Sequence, residues 1–216
     1  RPIAICDYKR VHDNDIGPNT GGMGCYTPPE FWDEKLSNQI INKIISPTLN
    51  SMNKIQTPFQ GILYAGIMIT ESGPKVIEFN CRFGDPECEL IMPMFQGNLS
   101  EVFLDIANKK FDNKKVSWKN KKGVCVVVCS GGYPNSYKKG LEISGIDKIK
   151  NNLIFHSGTK KIENKIITDG GRVLVLSNLD ENIMKSRSNI YKEIDKIKFK
   201  GSFYRKDIGL RAENNE

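Results

Sequence analysis

The residues best suited to chemistry lie at positions 76–87, in the segment VIEFNCRFGDPE. Apolar and polar residues alternate along its first half, and this alternation predicts a β-strand whose successive side chains point to opposite faces. Glu78, Asn80 and Arg82 then share one face, with neighbouring Cα atoms about 6.5–7 Å apart. The residues between them are expected to face a core: Ile77, Phe79 and Cys81.

This polar face combines a carboxylate, an amide and a guanidinium. Carboxylate and amide oxygens are ligands that Mg²⁺ accepts, usually one or two from the protein, with water and substrate phosphates completing the shell. An arginine one step further along can hold a phosphate or a carboxylate in a bidentate fork. The alternative is an exposed sheet face with an ordinary Glu–Arg pair. Asp85 and Glu87, at a predicted helix start with Pro86, add two carboxylates and favour a site.

A second candidate is the glycine-rich segment GPNTGGMGCY, at positions 17–26. Glycines allow backbone N–H groups to converge on an anion without interference from Cβ atoms. The segment lacks the Lys-Ser/Thr pair of a Walker A loop and the spacing of G-x-G-x-x-G, so a glycine-rich surface turn remains the alternative. Just upstream, Asp7 and Lys9 should share a strand face, where Lys9 could act as a point charge for a phosphate.

Composition narrows the class of protein. The chain has 216 residues, 32 Lys and Arg against 25 Asp and Glu, and a net charge of +7. The basic residues are scattered, which favours a solvated surface over a nucleic-acid interface. The six cysteines contain no C-x-x-C pair, which is typical of a reducing, cytoplasmic setting. No apolar run approaches the roughly 18–20 residues of a membrane span, so neither a membrane nor a nucleic acid is expected as a partner.

The elements that must position these residues form an α+β pattern. Before residue 110 we expect a helix over 30–52, bent or split at Pro47, a hairpin of strands 61–70 and 75–80, and helices after Asp85 and Asn98. Residues 110–122 are polar and basic and are the best candidate for a domain boundary. After them, GVCVVVCS is a continuous apolar strand, and further short strands and a helix over 180–197 predict a small, strand-rich domain.

Several strings resemble one known family, the phosphoribosylamine–glycine ligases of the ATP-grasp superfamily. They are, in chain order, DYKRVHDNDIGPNTGGMGCYTP, GILYAGIMIT, VIEFNCRFGDPE, SGGYP, HSGTK, TDGGRVL and FYRKDIGLRA. The resemblance implies a second ATP-grasp subdomain over 1–112, a mostly antiparallel sheet with helices, and a small β-rich C-terminal domain over 113–216. It also implies an enzyme of purine biosynthesis that joins glycine to 5-phospho-β-D-ribosylamine at the expense of ATP, through a glycyl phosphate.

The resemblance assigns roles residue by residue. Glu78 and Asn80 match the family's Mg²⁺ or Mn²⁺ ligands, and Lys9 and Arg82 match its catalytic cations. The residues that would line the glycine and phosphoribosylamine pocket are Asp7, Asn19, Thr20, Gly21, Gly22, Met23, Gly24, Asp85, Pro86 and Glu87.

The resemblance covers the C-terminal half of the family's length. The partners it implies are therefore ATP, glycine, phosphoribosylamine, the missing N-terminal half and, in some relatives, fused downstream purine-pathway domains. Two alternatives stay open. The chain alone could be a non-catalytic fragment, because half of the ATP cleft is absent, or it could be a basic nucleic-acid-binding module.

Overall fold

The architecture is that of a computed structural model, which describes residues 2–215. The strands are β1 (Cys6–Asp7), β2 (Arg10–His12), β3 (Ile16–Asn19), β4 (Gly24–Thr27), β5 (Tyr64–Thr70), β6 (Gly73–Asn80), β7 (Phe95–Gln96), β8 (Ser117–Trp118), β9 (Lys122–Cys129), β10 (Leu153–His156), β11 (Thr159–Ile162), β12 (Lys165–Thr168) and β13 (Arg172–Asp180). The α-helices are α1 (Glu34–Ile40), α2 (Ser46–Lys54), α3 (Cys88–Met94), α4 (Leu99–Ala107) and α5 (Ile183–Tyr191). Helices and antiparallel strands are mixed, which confirms the predicted α+β class.

The chain forms two compact units, each made of interleaved segments. We call the first the hairpin unit, which comprises Phe31–Gly84 and Phe95–Lys119 together with Pro2. The second, the sheet unit, comprises Ile3–Glu30, Asp85–Met94 and the chain from Asn120 onward. A border between linear domains at 112/113 stays a proposal.

The sheet unit is built on a five-stranded antiparallel sheet in the order β1-β4-β9-β13-β10. Its central strand β9 is the predicted run GVCVVVCS, and every side chain from Val124 to Cys129 is at most 1% exposed. Alternate residues serve two cores: Val124, Val126 and Val128 on one face, and Cys125, Val127 and Cys129 on the other. Helices α5 and α3 contact β9 and β13. The sheet is therefore covered on both faces, which explains why the apolar run of β9 is uninterrupted.

The hairpin unit contains the predicted long helix, a β-hairpin, α4 and the short β7–β8 pair. The helix begins after Asp33, whose side chain accepts a hydrogen bond from the Leu36 N–H at 2.6 Å, an ordinary N-cap. Helices α1 and α2 are joined by a π-helical turn at Ile41–Ile45, just ahead of Pro47. Proline lacks the N–H of a regular turn and crowds the carbonyl four residues earlier, which explains an irregularity here instead of a break.

The hairpin of β5 and β6 confirms the predicted strand pair, but its predicted core face is wrong. Ile77 is 65% exposed and Phe79 37% exposed, and Cys81 is exposed as well. Alternation fixes which residues share a face but cannot supply the layer that would cover it.

Two helix predictions also need correction. Asp85 and Pro86 do not begin a helix: they lie in a turn with a cis peptide bond, and α3 starts at Cys88. The late helix is shorter than expected, because α5 ends at Tyr191 and a 3-10 turn at Ile194–Lys196 follows. Among the residues described, no helix is long and apolar enough to cross a membrane.

Candidate functional site

Strand β6 places Glu78 and Asn80 on the same side of the hairpin, as the spacing predicts. The Asn80 amide Nδ2 donates to Glu78 Oε1 at 3.0 Å, a contact that side chains on opposite faces could not make. The cross-strand partner of Glu78 is Gly66. A Cβ atom on Gly66 would lie 3.2 Å from the Glu78 Cγ, so the glycine leaves room for the carboxylate.

This pair fits a divalent cation held by few protein ligands. Glu78 is exposed and Asn80 is half-buried, so both can be reached from solvent. A cation between them requires the Asn80 amide to rotate half a turn, so that its oxygen takes the place of its nitrogen and the cation replaces the hydrogen bond. Within the part of the chain described, no group of three or more His, Cys, Asp and Glu side chains is arranged to hold a metal. A carboxylate and an amide could form part of a divalent-cation shell that water and phosphate oxygens complete.

Arg82 lies beyond the end of β6 and is exposed. Its Nη1 donates to the Phe83 carbonyl at 2.8 Å, and no ion pair to Glu78 is present among the described residues. The Glu–Arg pair considered as the alternative is thus absent from this arrangement. The guanidinium carries further N–H donors besides this one.

In the sheet unit, Asp7 ends strand β1 and forms an ion pair with Lys9. The Lys9 ammonium also lies 3.5 Å from the Gly21 carbonyl oxygen. Burial and, to a smaller extent, the nearby Glu87 carboxylate raise the pKa of Asp7 to about 6, although the Lys9 ammonium acts in the opposite direction. Asp7 therefore changes charge close to neutral pH instead of staying ionised, as a surface aspartate does.

The glycine-rich loop does not offer its first amides to an anion, and the predicted anion cradle is wrong for these groups. The Gly21 N–H donates to the Tyr133 hydroxyl at 3.0 Å, the Gly22 N–H to Thr20 Oγ1 at 3.0 Å, and the Met23 N–H to the Tyr8 carbonyl at 2.8 Å. The glycines serve close packing instead. A Cβ atom on Gly22 would lie 2.5 Å from Pro86 Cδ.

The remaining candidate residues differ in how far they reach solvent. Asn19 is exposed at the end of β3, whereas Met23 has no exposed surface and Glu87 is 3% exposed. The Met23 side chain belongs to the core and contacts the Cys129 thiol, with the two sulfurs 3.8 Å apart. Only the backbone of Met23 can therefore face a ligand in this conformation.

Arg172, at the start of β13, joins the glycine-rich loop to the Asp85 turn and was missed by the sequence reasoning. Its Nη1 lies 3.1 Å from the Gly21 carbonyl oxygen, 2.6 Å from the Asp85 carbonyl oxygen and 3.1 Å from Asp85 Oδ1. It is 19% exposed, so it also keeps a route to solvent. The string TDGGRVL carried the only signal, an arginine after two glycines at a strand start.

The sheet unit thus brings together two chain-distant parts of the candidate site. The end of β1, the loop at Thr20–Gly22 and the turn at Asp85 and Pro86 are linked by Lys9, Arg172 and Tyr133. The pair of Glu78 and Asn80 belongs to the hairpin unit. The first group contains the cationic side chains of Lys9 and Arg172, and the second contains a carboxylate and an amide.

Comparison with solved structures defines the class of fold. The structure resembles phosphoribosylamine–glycine ligase from Thermotoga maritima with a TM-score of 0.83 and 33% identity, covering 94% of this chain and 50% of that one. N5-carboxyaminoimidazole ribonucleotide synthetase from the same organism shares the fold at a TM-score of 0.58 and 13% identity. The chain therefore has the fold of the ATP-grasp enzymes.

Two family models then match successive parts of the chain. Residues 2–88 match the ATP-grasp (A) domain of phosphoribosylglycinamide synthetase, and residues 123–211 match its C domain. The chain belongs to this family.

Curated relatives agree with the family models. Phosphoribosylamine–glycine ligase of Caldanaerobacter subterraneus is 45% identical over 206 residues, which are 95% of this chain and 49% of the relative. The trifunctional purine biosynthetic protein adenosine-3 of Gallus gallus is 46% identical, with 21% of its length covered. The chain spans about half the length of the single-function relatives that it matches.

Proposed function

We propose that this chain is part of a phosphoribosylamine–glycine ligase. The overall reaction joins glycine to 5-phospho-β-D-ribosylamine and yields glycinamide ribonucleotide, ADP and phosphate, as a step of purine biosynthesis in the cytoplasm. The observation that carries the proposal is the match of two domains of one synthetase, in the correct order, over most of the chain.

The chemistry has two transfers. A carboxylate oxygen of glycine attacks the γ-phosphorus of ATP, the bond to ADP breaks, and glycyl phosphate forms. The amine of phosphoribosylamine then attacks the acyl carbon, phosphate leaves with its bonding electrons, and the amine loses a proton. Both steps move charge between oxygens, so positioned cations are what the protein must supply.

Four residues supply or hold those cations. Glu78 and Asn80 would hold Mg²⁺ or Mn²⁺, which would supply positive charge to the phosphate oxygens of ATP. Lys9 neutralises the transferring phosphoryl group, and Arg82 holds an anionic intermediate or the ribose phosphate. Support comes from the shared face of Glu78 and Asn80, from the remaining donors of Arg82 and from the exposed Lys9 ammonium.

The other substrates bind in the sheet unit. Asp7, Asp85 and the loop of Asn19 to Gly24 line the pocket for glycine and phosphoribosylamine, with Pro86 and Glu87 beneath them. Support comes from the packing of Gly22 against Pro86 and from the ion pair of Asp7 with Lys9.

The test uses a complete enzyme, made by joining this chain to the half of the Caldanaerobacter relative that it does not match. We expect ADP release that requires glycine, phosphoribosylamine and Mg²⁺. Glu78→Ala should lower the turnover rate roughly 100-fold, because it removes a charged ligand of the metal ion that stabilises the transition state. The matched control is Glu71→Ala, which removes an exposed carboxylate from the turn of the same hairpin.

Two results would overturn the proposal. Turnover unaffected by Glu78→Ala at all Mg²⁺ concentrations would remove the metal assignment. Release of ADP that requires neither glycine nor phosphoribosylamine would refute the proposed reaction. The chain by itself should bind ATP weakly or not at all, and calorimetry that finds micromolar affinity would contradict the assignment of half the cleft to the missing part.

Nucleic-acid binding is the second class to test. Its prediction is retention of labelled RNA or DNA on filters with an affinity that falls steeply as salt rises. We expect no retention above that of a neutral control protein.

A further inference from the structure

The ion pair of Asp7 and Lys9 joins a buried anion to an exposed cation. The Asp7 side chain is 11% exposed, whereas that of Lys9 is 48% exposed. Asp7 ends strand β1 and pairs directly with Cys25 of β4 in the five-stranded sheet. A Cβ atom on Gly22 would lie 2.9 Å from Asp7 Oδ1, so the glycine-rich loop packs against the carboxylate. The anion of the pair is therefore fixed to the sheet, while the Lys9 side chain reaches solvent.

The backbone of Lys9 is also fixed. Its carbonyl oxygen accepts hydrogen bonds from the Thr20 N–H at 2.7 Å and from Thr20 Oγ1 at 2.8 Å. The lysine side chain is nevertheless a flexible four-carbon stem that ends in a point charge. Its contacts with the Asp7 carboxylate and, at 3.5 Å, with the Gly21 carbonyl oxygen restrict where the ammonium lies.

The titratable groups around the Asp7 carboxylate lie on four segments: Cys6 on β1, Lys9 after it, Cys25 on β4 and Glu87 just before α3. Burial raises the pKa of Cys6 to about 11 and that of Cys25 well above its ordinary value. Both thiols are therefore neutral between about pH 5 and 8. The charges that act on Asp7 are those of Glu87, which disfavours its ionisation, and Lys9, which favours it.

An ionised carboxylate is costly at this position. Burial disfavours the charged form of an aspartate, and an uncharged side chain would avoid that cost. A group that is retained in spite of such a cost is a candidate for function. The ammonium that the carboxylate holds gives the physical reason to keep it.

We infer that Asp7 is a positioning residue for the phosphoryl transfer, because its ionised carboxylate holds the Lys9 ammonium where the transferring phosphoryl group is neutralised. The inference rests on the proposed function, in which Lys9 supplies that charge. A cation that is already in place stabilises the transition state without reorganisation during the reaction. Protonation of Asp7 removes the anion that holds the ammonium, so turnover should decline as the pH falls through about 6.

This role differs from that of a residue that only lines the substrate pocket. Loss of a pocket contact raises the KM of glycine or phosphoribosylamine, whereas loss of the position of Lys9 lowers kcat. In the complete enzyme described above, Asp7→Asn should lower kcat at pH 7.5 at least 10-fold and change both KM values less than twofold.

The pH dependence separates a positioning role from a general structural one. The kcat of the unchanged enzyme divided by that of Asp7→Asn should fall at least fivefold from pH 7.5 to pH 5, because pH effects common to both enzymes cancel in this ratio. The matched control is Asp169→Asn, which changes an exposed aspartate that also pairs with a lysine in the sheet unit. It should leave kcat and its pH dependence unchanged.

A second experiment needs no turnover. Lysines of this chain are dimethylated with ¹³C-formaldehyde, which preserves their charge, and the Lys9 resonance is assigned from its loss in Lys9→Arg. In the unchanged chain this resonance should shift with a midpoint near pH 6. The shift should be absent in Asp7→Asn and present in Asp169→Asn.

Several results would overturn the inference. These are a kcat ratio that stays constant with pH, an effect of Asp7→Asn on KM alone, equal effects of the two asparagine substitutions, or a Lys9 resonance without a transition near pH 6. The resonance of the unchanged chain decides the matter even if Asp7→Asn fails to fold. Normal turnover with any of these results would leave the proposed function intact, whereas the absence of ligase turnover in the complete enzyme would contradict that function itself.

Discussion

Substitution of Asp7 by asparagine should stabilise the sheet unit at neutral pH and not in acid. The Asp7 side chain is 11% exposed, and its pKa in the folded protein is raised from 3.8 to about 6, first by burial and then by Glu87. The folded state therefore binds the proton more tightly than the unfolded state. The stability associated with that proton is complete below pH 3.8, and it is lost as the pH rises through about 6.

The size of the effect follows from the shift. A pKa difference of about 2 units corresponds to about 3 kcal/mol of unfolding free energy between the two ends of the range. The asparagine side chain does not titrate in this range, so the free energy of unfolding of the Asp7→Asn variant lacks this dependence on pH. The free energy of unfolding of Asp7→Asn minus that of the unchanged chain should therefore increase by about 3 kcal/mol from pH 3.5 to pH 7.5.

The assay must report on the sheet unit. Both tryptophans, Trp32 and Trp118, lie in the hairpin unit, so their fluorescence is unsuitable. Cys25, Cys125 and Cys129 are fully buried in the sheet unit, and their labelling by a thiol reagent in increasing urea reports its unfolding.

The control substitution is Asp169→Asn, which changes a half-exposed carboxylate paired with Lys139 in the same unit. It should leave the pH dependence of unfolding nearly unchanged, because solvent screens such a pair. A stability difference for Asp7→Asn that stays constant with pH, or that increases toward acid, would refute the reasoning. If it holds, this unit keeps a destabilising carboxylate next to Lys9, as residues retained for function do.

Three further predictions concern the sheet unit. Arg172→Ala removes the contacts to Gly21 and the Asp85 turn. Hydrogen exchange of the amides of residues 20–24 should therefore become at least 10-fold faster, while exchange in α5 stays unchanged. Equal acceleration in both segments would indicate a general loss of stability instead. Arg205 is 1% exposed, and its Nη2 lies 2.6 Å from Asp207 Oδ2. Arg205→Met should lower the free energy of unfolding by about 3–5 kcal/mol, because it leaves a buried charge unpaired. Adding Asp207→Asn should restore part of this stability, and urea unfolding that shows no such recovery would contradict the pairing. Hydrogen bonds from Lys196, Asn151, Asn152 and Lys150 lower the pKa of Glu193 to about 2. The free energy of unfolding should therefore decrease as the pH falls from 4.5 toward 2, and Glu193→Gln should remove that decrease. An unchanged dependence of stability on acid pH in this variant would contradict the prediction.

Sequence periodicity was sufficient for the elements that depend on local rules. The apolar run at Val124–Cys129 became the central strand, with alternate residues in two cores. The same period of two brought Glu78 and Asn80 into contact. These predictions succeeded because side-chain direction on a strand is set by backbone geometry alone.

Predictions that needed a second, distant layer were wrong. Ile77 and Phe79 were expected in a core and are exposed, because alternation says which way a side chain points and nothing about what lies there. The glycine-rich loop allowed either an anion site or a surface turn, and the amides of Gly21 and Gly22 donate to Tyr133 and Thr20. Glycine spacing predicts that the backbone approaches another group closely, but it does not identify that group.

The sequence alone therefore determined the family, the β5–β6 hairpin, the apolar strand β9 and the shared face of Glu78 and Asn80, because motifs and short periods are local properties of the chain. Only the tertiary structure decided that Arg172 reaches Gly21, 151 positions away, that Asp7 is buried beside Glu87, and that one hairpin face lacks a covering layer. Each of these depends on contacts between segments far apart in sequence, and no local pattern encodes which distant segments meet.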